Sequence, residues 1–134
     1  MSADGQPHGV KIMVIDDSPD NIAVLQAILT RDGFTVISLM NSAAPFSDVL
    51  REMPALVLCD VCMPGFDGPL LTRMLKSVDV TAKIPVLLCS SLDESELARR
   101  AADSGADGYV RKTASPREII ARVHRALERA RGRV

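Results

Sequence analysis

The sequence predicts an α/β domain in which helices cover both faces of a five-stranded parallel sheet. Short apolar segments alternate five times with segments whose apolar residues recur at helical spacing, and this order is typical of a doubly wound sheet with right-handed crossovers. The chain has 134 residues, a length at which one hydrophobic core and one domain are expected. We expect a flexible N-terminal tail over residues 1–9, the domain over 10–128, and over 129–134 a basic tail or the start of a linker.

Five apolar runs have the length and the composition of β-strands. They cover residues 10–15, 34–39, 55–59, 84–89 and 108–110. The third run, ALVLC, holds no polar residue, which is typical of a strand that is buried on both faces of a parallel sheet. Because several of these runs stop abruptly at a polar side chain, we expect a polar edge where the strands end.

Each of the five remaining segments carries an apolar stripe at helical spacing. The first begins at Ser18 and Pro19, an N-cap followed by a proline at the first helical position, and it ends at Asp32 and Gly33. The stripes that we expect to face the core are Ile22, Leu25, Ile28 and Leu29; Phe46, Val49, Leu50 and Met53; Leu70, Leu71, Met74, Leu75 and Val78; Leu97, Ala98, Ala101 and Ala102; and Ile119, Ile120, Val123, Ala126 and Leu127.

Charge and composition exclude several classes of function. With 17 acidic and 16 basic side chains the formal net charge is -1, so the chain lacks the overall positive charge of most nucleic-acid-binding proteins. No apolar run approaches the roughly 18 residues of a membrane span, and residues 1–9 lack the apolar core of a signal peptide. We therefore expect a soluble, cytoplasmic protein that makes no direct contact with nucleic acid or membrane.

Polar, reactive side chains lie at or near the ends of four of the predicted strands. They are Asp16 and Asp17, Asp60, Ser90 and Lys112. Because the carboxyl ends of parallel strands meet at one edge of a sheet, we expect these side chains to converge. Carboxylates 4 Å apart repel each other by about 4 kcal/mol per pair at an effective dielectric constant of 20, so the cluster favours a cation. Hard oxygen ligands without histidine favour Mg²⁺.

Four motifs at these strand ends resemble the receiver domain of bacterial two-component response regulators. In chain order they are Ile15–Ser18 (IDDS), Asp60–Gly68 (DVCMPGFDG), Ile84–Ser91 (IPVLLCSS) and Gly105–Lys112 (GADGYVRK). The resemblance extends over about residues 10–127, and the chain is similar to a single-domain regulator of the chemotaxis type. It implies a flavodoxin-like three-layer (βα)5 sandwich with strand order 2-1-3-4-5. It also implies a signalling domain that catalyses only its own phosphoryl transfer and dephosphorylation.

The resemblance further implies the roles of the acidic residues. Asp60 would be the phosphoacceptor, which attacks a phosphohistidine of a partner kinase. Asp17 would bind Mg²⁺, or Mn²⁺ in its place, directly, and Asp16 would hold a metal-bound water. Asp60 and the backbone carbonyl of Cys62 would complete the protein ligands of the ion.

The remaining implied roles concern the phosphoryl group and the response to it. Ser90 and Lys112 would bind and neutralise the phosphoryl oxygens. Ser90 and Tyr109 would form a switch that repacks the surface of the fourth predicted helix, the fifth strand and the last helix. The implied partners are a sensor histidine kinase or a phosphotransfer protein, and an output partner at that surface. We expect a monomer, or a homodimer that phosphorylation promotes.

Two sequence features, Thr113 and the spacing of Cys59 and Cys62, suggest functions other than phosphoryl transfer. Thr113 replaces the proline that follows the lysine in the family, so a cis peptide bond there would cost about 3 to 4 kcal/mol and a trans bond is the alternative. This departure favours a second function, a receiver-like interaction module that takes no phosphate. Cys59 and Cys62 have the spacing of a redox pair, but an apolar strand and neighbouring carboxylates disfavour thiolates, so we expect no redox chemistry.

Overall fold

The structure is a computed structural model that describes residues 9–63 and 66–132. Residues 1–8 of the predicted N-terminal tail and residues 133–134 of the predicted C-terminal tail therefore lie outside the described part of the chain. The last helix continues through Arg131, into the stretch that we expected to be a basic tail or the start of a linker.

Within the described residues, seven strands form one large sheet and one small hairpin. They are β1 (Lys11–Ile15), β2 (Thr35–Leu39), β3 (Leu56–Asp60), β4 (Cys62–Met63), β5 (Phe66–Asp67), β6 (Val86–Ser90) and β7 (Gly108–Arg111). The large sheet has the order β2-β1-β3-β6-β7 and all its neighbours are parallel, which confirms the predicted fold class and order. The sequence does not predict the antiparallel β4-β5 hairpin, because its strands are too short to show alternation.

Six helices lie between or after the strands of the described chain. They are α1 (Pro19–Arg31), α2 (Pro45–Glu52), α3 (Gly68–Ser77), α4 (Asp79–Ala82), α5 (Glu94–Ser104) and α6 (Pro116–Arg131). Four of them have an N-cap residue whose side chain accepts a backbone N–H of the first turn. These N-caps are Ser18, Asp67, Asp93 and Ser115. Helix α4 has only one turn and no sequence signal predicted it. No helix among the described residues is long and apolar enough to cross a membrane.

The core consists of two clusters, one on each face of the sheet. Successive residues of β1 alternate between them, so that Ile12 belongs to one cluster and Met13 to the other. Helices α1 and α6 cover the first face, and α2, α3 and α5 cover the second. The result is a three-layer sandwich whose strands all run toward the same edge, and this edge is where the acidic residues lie.

The buried faces of α2 and α3 are narrower than the sequence predicts. Five residues of the predicted stripes are between 37% and 50% exposed, and they are Leu50, Met53, Leu70, Met74 and Val78. The prediction that these residues face the core is wrong, and it is also wrong for Ala102 in α5, which is exposed. Of the predicted stripes of α2 and α3, only Val49, Leu71 and Leu75 are buried. Each helix contacts the sheet along one narrow line and leaves its flanks in solvent.

Candidate functional site

Three carboxylates converge at the carboxyl edge of the sheet, as predicted. Asp16 and Asp17 directly follow β1, and Asp60 is the last residue of the neighbouring strand β3. One carboxylate oxygen from each lies within 4.8 Å of the others. Asp16 and Asp60 are buried, and Asp17 is partly exposed. A compact set of hard oxygen donors with one side open to solvent fits Mg²⁺, which typically keeps several water ligands.

Asp16 is held by hydrogen bonds to both of its oxygens. Its Oδ1 accepts the backbone N–H of Ser18 at 2.9 Å, and its Oδ2 accepts the side-chain amide of Asn21 and lies 3.3 Å from the Lys112 ammonium. Asp17 differs, because its side chain has no hydrogen bond or ion pair with the described residues. Sequence analysis missed Asn21. The available signal was an amide side chain in the first turn of the helix that begins just after Asp16.

Lys112 bridges the two buried carboxylates. Its Nζ lies 3.2 Å from Asp60 Oδ2 and 3.3 Å from Asp16 Oδ2. Burial lowers the pKa of Lys112, but the negative charges of Asp60 and Asp16 more than compensate, so its pKa is raised and the side chain is charged at neutral pH. The described residues contain no cis peptide bond, so the Lys112–Thr113 bond is trans and the ammonium still contacts Asp60.

Asp60 experiences more negative charge than Lys112 neutralises. Burial raises the pKa of Asp60, the charge of Asp16 raises it further, and Lys112 lowers it only in part. The net direction is upward. One ammonium therefore leaves the cluster with excess negative charge, which a divalent cation would offset.

The backbone of Asp60 is fixed by the first residue of α3. A Cβ atom at Gly68 would lie 2.0 Å from the Asp60 carbonyl oxygen, so only glycine allows this close approach. The Gly68 N–H also donates to the Val61 carbonyl at 3.1 Å, and the Thr72 hydroxyl donates to the Gly68 carbonyl at 2.9 Å. The start of α3 thus packs directly on the end of the strand that carries Asp60. The sequence signal for this contact was the glycine that ends the Asp60 motif.

Ser90 lies at the same edge of the sheet, at the end of β6. Asp60 pairs in register with Cys89, which places Ser90 one residue beyond that position on the neighbouring strand. Ser90 is buried, its Oγ accepts the N–H of Leu92 at 3.2 Å, and its carbonyl accepts the N–H of Lys112 at 2.9 Å. Cys62, whose carbonyl we expect to face the ion, lies two residues after Asp60 in the short strand β4.

Tyr109 lies away from the acidic cluster, beside α5. Its hydroxyl donates to Glu94 Oε1 at 3.3 Å. The guanidinium of Arg122 in α6 lies 5.1 Å from the centre of the ring, and its Nη1 donates to the Tyr109 carbonyl at 2.9 Å. The ring is partly exposed and connects β7 to both flanking helices.

The buried cysteines have the properties of core residues. Burial raises the pKa of Cys59, and it raises the pKa of Cys89 to about 12. The two side chains belong to the core clusters on opposite faces of the sheet, so they cannot form a pair. Neither thiol has the electropositive, accessible surroundings that redox chemistry needs.

Comparisons with known proteins identify the family. A family model of the response regulator receiver domain matches residues 12–124. The response regulator PleD of Caulobacter vibrioides is 34% identical over 119 residues, which are 89% of this chain and 26% of PleD. The chain spans between 14% and 53% of the length of the first curated relatives that it matches.

Solved structures agree with this assignment. The BeF3-activated N-terminal receiver domain of RstA from Klebsiella pneumoniae has a TM-score of 0.77 at 29% identity, with 87% of this chain and 97% of that chain covered. The chemotaxis protein CheY4 of Vibrio cholerae, at 18% identity, has the same fold with a TM-score of 0.79, and 87% of this chain and 98% of that chain are covered. Because the family model covers most of its length, the chain belongs to the response regulator receiver domains of two-component systems, which are signalling domains and not classical enzymes.

Proposed function

We propose that this domain is a phosphorylation-controlled switch in which Asp60 accepts a phosphoryl group from a histidine kinase or a phosphotransfer protein. One observation carries the proposal. Asp60 ends a buried strand with two further carboxylates within 4.8 Å and the Lys112 ammonium at 3.2 Å. This arrangement combines a nucleophile, a set of ligands for a divalent cation and a positive charge, which are the groups that phosphoryl transfer to a carboxylate needs.

The transfer is a displacement at phosphorus. A carboxylate oxygen of Asp60 forms the new P–O bond, the P–N bond to the donor imidazole breaks, and its electron pair returns to the ring nitrogen. Lys112 stabilises the negative charge on the transferred group. When bound by Asp17, Asp60 and the Cys62 carbonyl, with Asp16 holding a water ligand, Mg²⁺ or Mn²⁺ would neutralise charge on the phosphoryl oxygens.

The response would pass through Ser90 and Tyr109. The Ser90 hydroxyl accepts a hydrogen bond from Leu92, so its own proton is available to a phosphoryl oxygen. Movement of Ser90 toward the phosphoryl group would let Tyr109 leave Glu94 and turn inward. The surface of α5, β7 and α6 would then change, and this is where we place the output partner or a second phosphorylated copy. A kinase-coupled domain of this type would act in the cytoplasm.

A small phosphodonor tests the proposal without knowledge of the kinase. Incubation with acetyl phosphate and Mg²⁺ should raise the intact mass by one phosphoryl group. Asp60→Asn or removal of the divalent cation with EDTA should abolish the gain, because each removes a group that the transfer needs. Asp20→Asn, at an exposed aspartate outside the cluster, should leave the gain unchanged. An unmodified parent would instead favour the interaction module that takes no phosphate.

A further inference from the structure

The side chain of Asn21 contributes a contact to the acidic cluster that its position in the helix does not require. Asn21 is in the first turn of α1, where its backbone N–H donates to the Ser18 hydroxyl at 3.2 Å. The Ser18 N–H, to which a capping side chain at this position would bond back, already donates to Asp16 Oδ1. The side-chain amide is therefore free to donate elsewhere, and it donates to Asp16 Oδ2.

The chemistry of this side chain suits the environment. At this helical position a glutamate or glutamine is common, because its side chain can bond back to the cap residue. A glutamate near Asp16 would add a fourth negative charge to three crowded carboxylates. The Asn21 amide provides a hydrogen-bond donor without any charge, so it orients Asp16 without adding to the repulsion among the carboxylates.

The two neighbouring aspartates differ in how they are held. Asp16 is 1% exposed and accepts bonds from two elements, the start of α1 and the loop after β7. Asp17 has no such partner within the described chain. Asp17 is free to bind an ion directly, while Asp16 is already oriented before any ion arrives. Hydrogen bonds that orient the carboxylates around a metal ion raise the affinity of the site.

We propose that Asn21 is a positioning residue of the metal site, which holds the Asp16 carboxylate in the cluster and thereby sets the affinity for Mg²⁺. This inference rests on the proposed function, in which the cluster binds Mg²⁺. Its effect would be seen in the affinity for the metal ion alone, before any phosphoryl transfer.

Calorimetric titration of the full chain with MgCl2 measures this affinity. Asn21→Ala should weaken Mg²⁺ binding about tenfold. Loss of a residue that orients a metal ligand typically weakens binding by about 10- to 100-fold, and tenfold is the low end of that range. Asn21→Ser should do the same, because its hydroxyl is shorter than the amide and serine is well tolerated near a helix start. The matched control is Ala23→Gly, which weakens α1 at an exposed neutral position without contact with the cluster.

The outcomes separate the inference from the proposed function. A parent chain that binds no Mg²⁺ overturns both. A parent that binds while the Asn21 variants stay within roughly twofold of it overturns the positioning role alone. Equal weakening by Ala23→Gly also overturns it, because the stability of α1 would then explain the loss. Weakening that is confined to the Asn21 variants, with melting temperatures in EDTA no lower than that of the control, supports it.

Discussion

Replacing Asp17 with asparagine tests the electrostatics of the acidic cluster most directly. The substitution keeps the shape of the side chain and removes one of three charges. Because Asp17 makes no ion pair or hydrogen bond with the described residues, no favourable contact is lost with it. We expect Asp17→Asn to melt at a higher temperature than the parent when no divalent cation is present.

The size of the stabilisation expected for Asp17→Asn follows from the spacing of the carboxylates. Oxygens of all three lie within 4.8 Å of one another, and at that distance each pair repels by about 3 to 4 kcal/mol at an effective dielectric constant of 20. Lys112 offsets the charges of Asp16 and Asp60 and makes no ion pair with Asp17. Since Asp17 is partly exposed, water and salt screen this repulsion, and removing the charge should raise the free energy of unfolding by on the order of 1 kcal/mol. Such a gain raises the melting temperature of a domain of this size by about 3 to 5 °C.

Thermal melts in EDTA and in MgCl2 provide the measurement. At a Mg²⁺ concentration ten times the dissociation constant, the free energy of unfolding of the parent should rise by about 1.4 kcal/mol. That of Asp17→Asn should rise much less. Asp20→Asn is the control, because it removes an exposed charge that favours the start of α1 and should lower the melting temperature slightly. Equal shifts of parent and Asp17→Asn with Mg²⁺, or no stabilisation in EDTA, would refute the reasoning.

Three further predictions concern packing and burial. Gly68→Ala should destabilise the fold by about 3 kcal/mol in urea unfolding and slow phosphorylation, because its Cβ would collide with the Asp60 carbonyl. Cys89 should resist iodoacetamide at pH 8 until the protein unfolds, because burial raises its pKa to about 12 and leaves almost no thiolate; peptide mapping checks this. Lys76→Ala should destabilise the fold by about 2 kcal/mol in urea unfolding, because it removes the ammonium that lies 2.7 Å from the buried Asp107 carboxylate, which keeps the N–H of Val86 as a donor.

Matched substitutions make these predictions specific. Gly132→Ala should be nearly neutral, because the nearest atom to its Cβ would be 3.6 Å away. Arg99→Ala breaks only exposed ion pairs and should destabilise the fold far less than Lys76→Ala. If either control destabilises as much as its partner, the close approach of Gly68 or the buried pair of Lys76 is not the cause. Alkylation of Cys89 in the folded protein would contradict its burial.

Most of the fold could be predicted from local patterns. Strand β3 is apolar up to Asp60 because both of its faces are covered. Ser18 and Pro19 predict the start of α1 because a cap side chain accepts one N–H of the first turn and the proline has none to satisfy. The acidic cluster could be predicted for a related reason. Parallel strands end at one edge, so residues that follow separate strands meet there without any knowledge of side-chain contacts.

Other features depend on how the helices lie on the sheet. The exposure of Leu70 and Met74 is decided by the line along which α3 contacts the sheet, which an apolar stripe alone does not define.

The sequence by itself determined the order of elements, the parallel sheet and the meeting of Asp16, Asp17 and Asp60, because these follow from periodicity and from the direction of the strands. Only the tertiary structure decided that Asn21 bonds to Asp16 and that Lys112 contacts Asp60 beside a trans bond. The Asn21 bond depends on the angle at which α1 leaves the end of β1, and the Lys112 contact joins residues 52 positions apart in the chain. Packing sets both the angle and the distance.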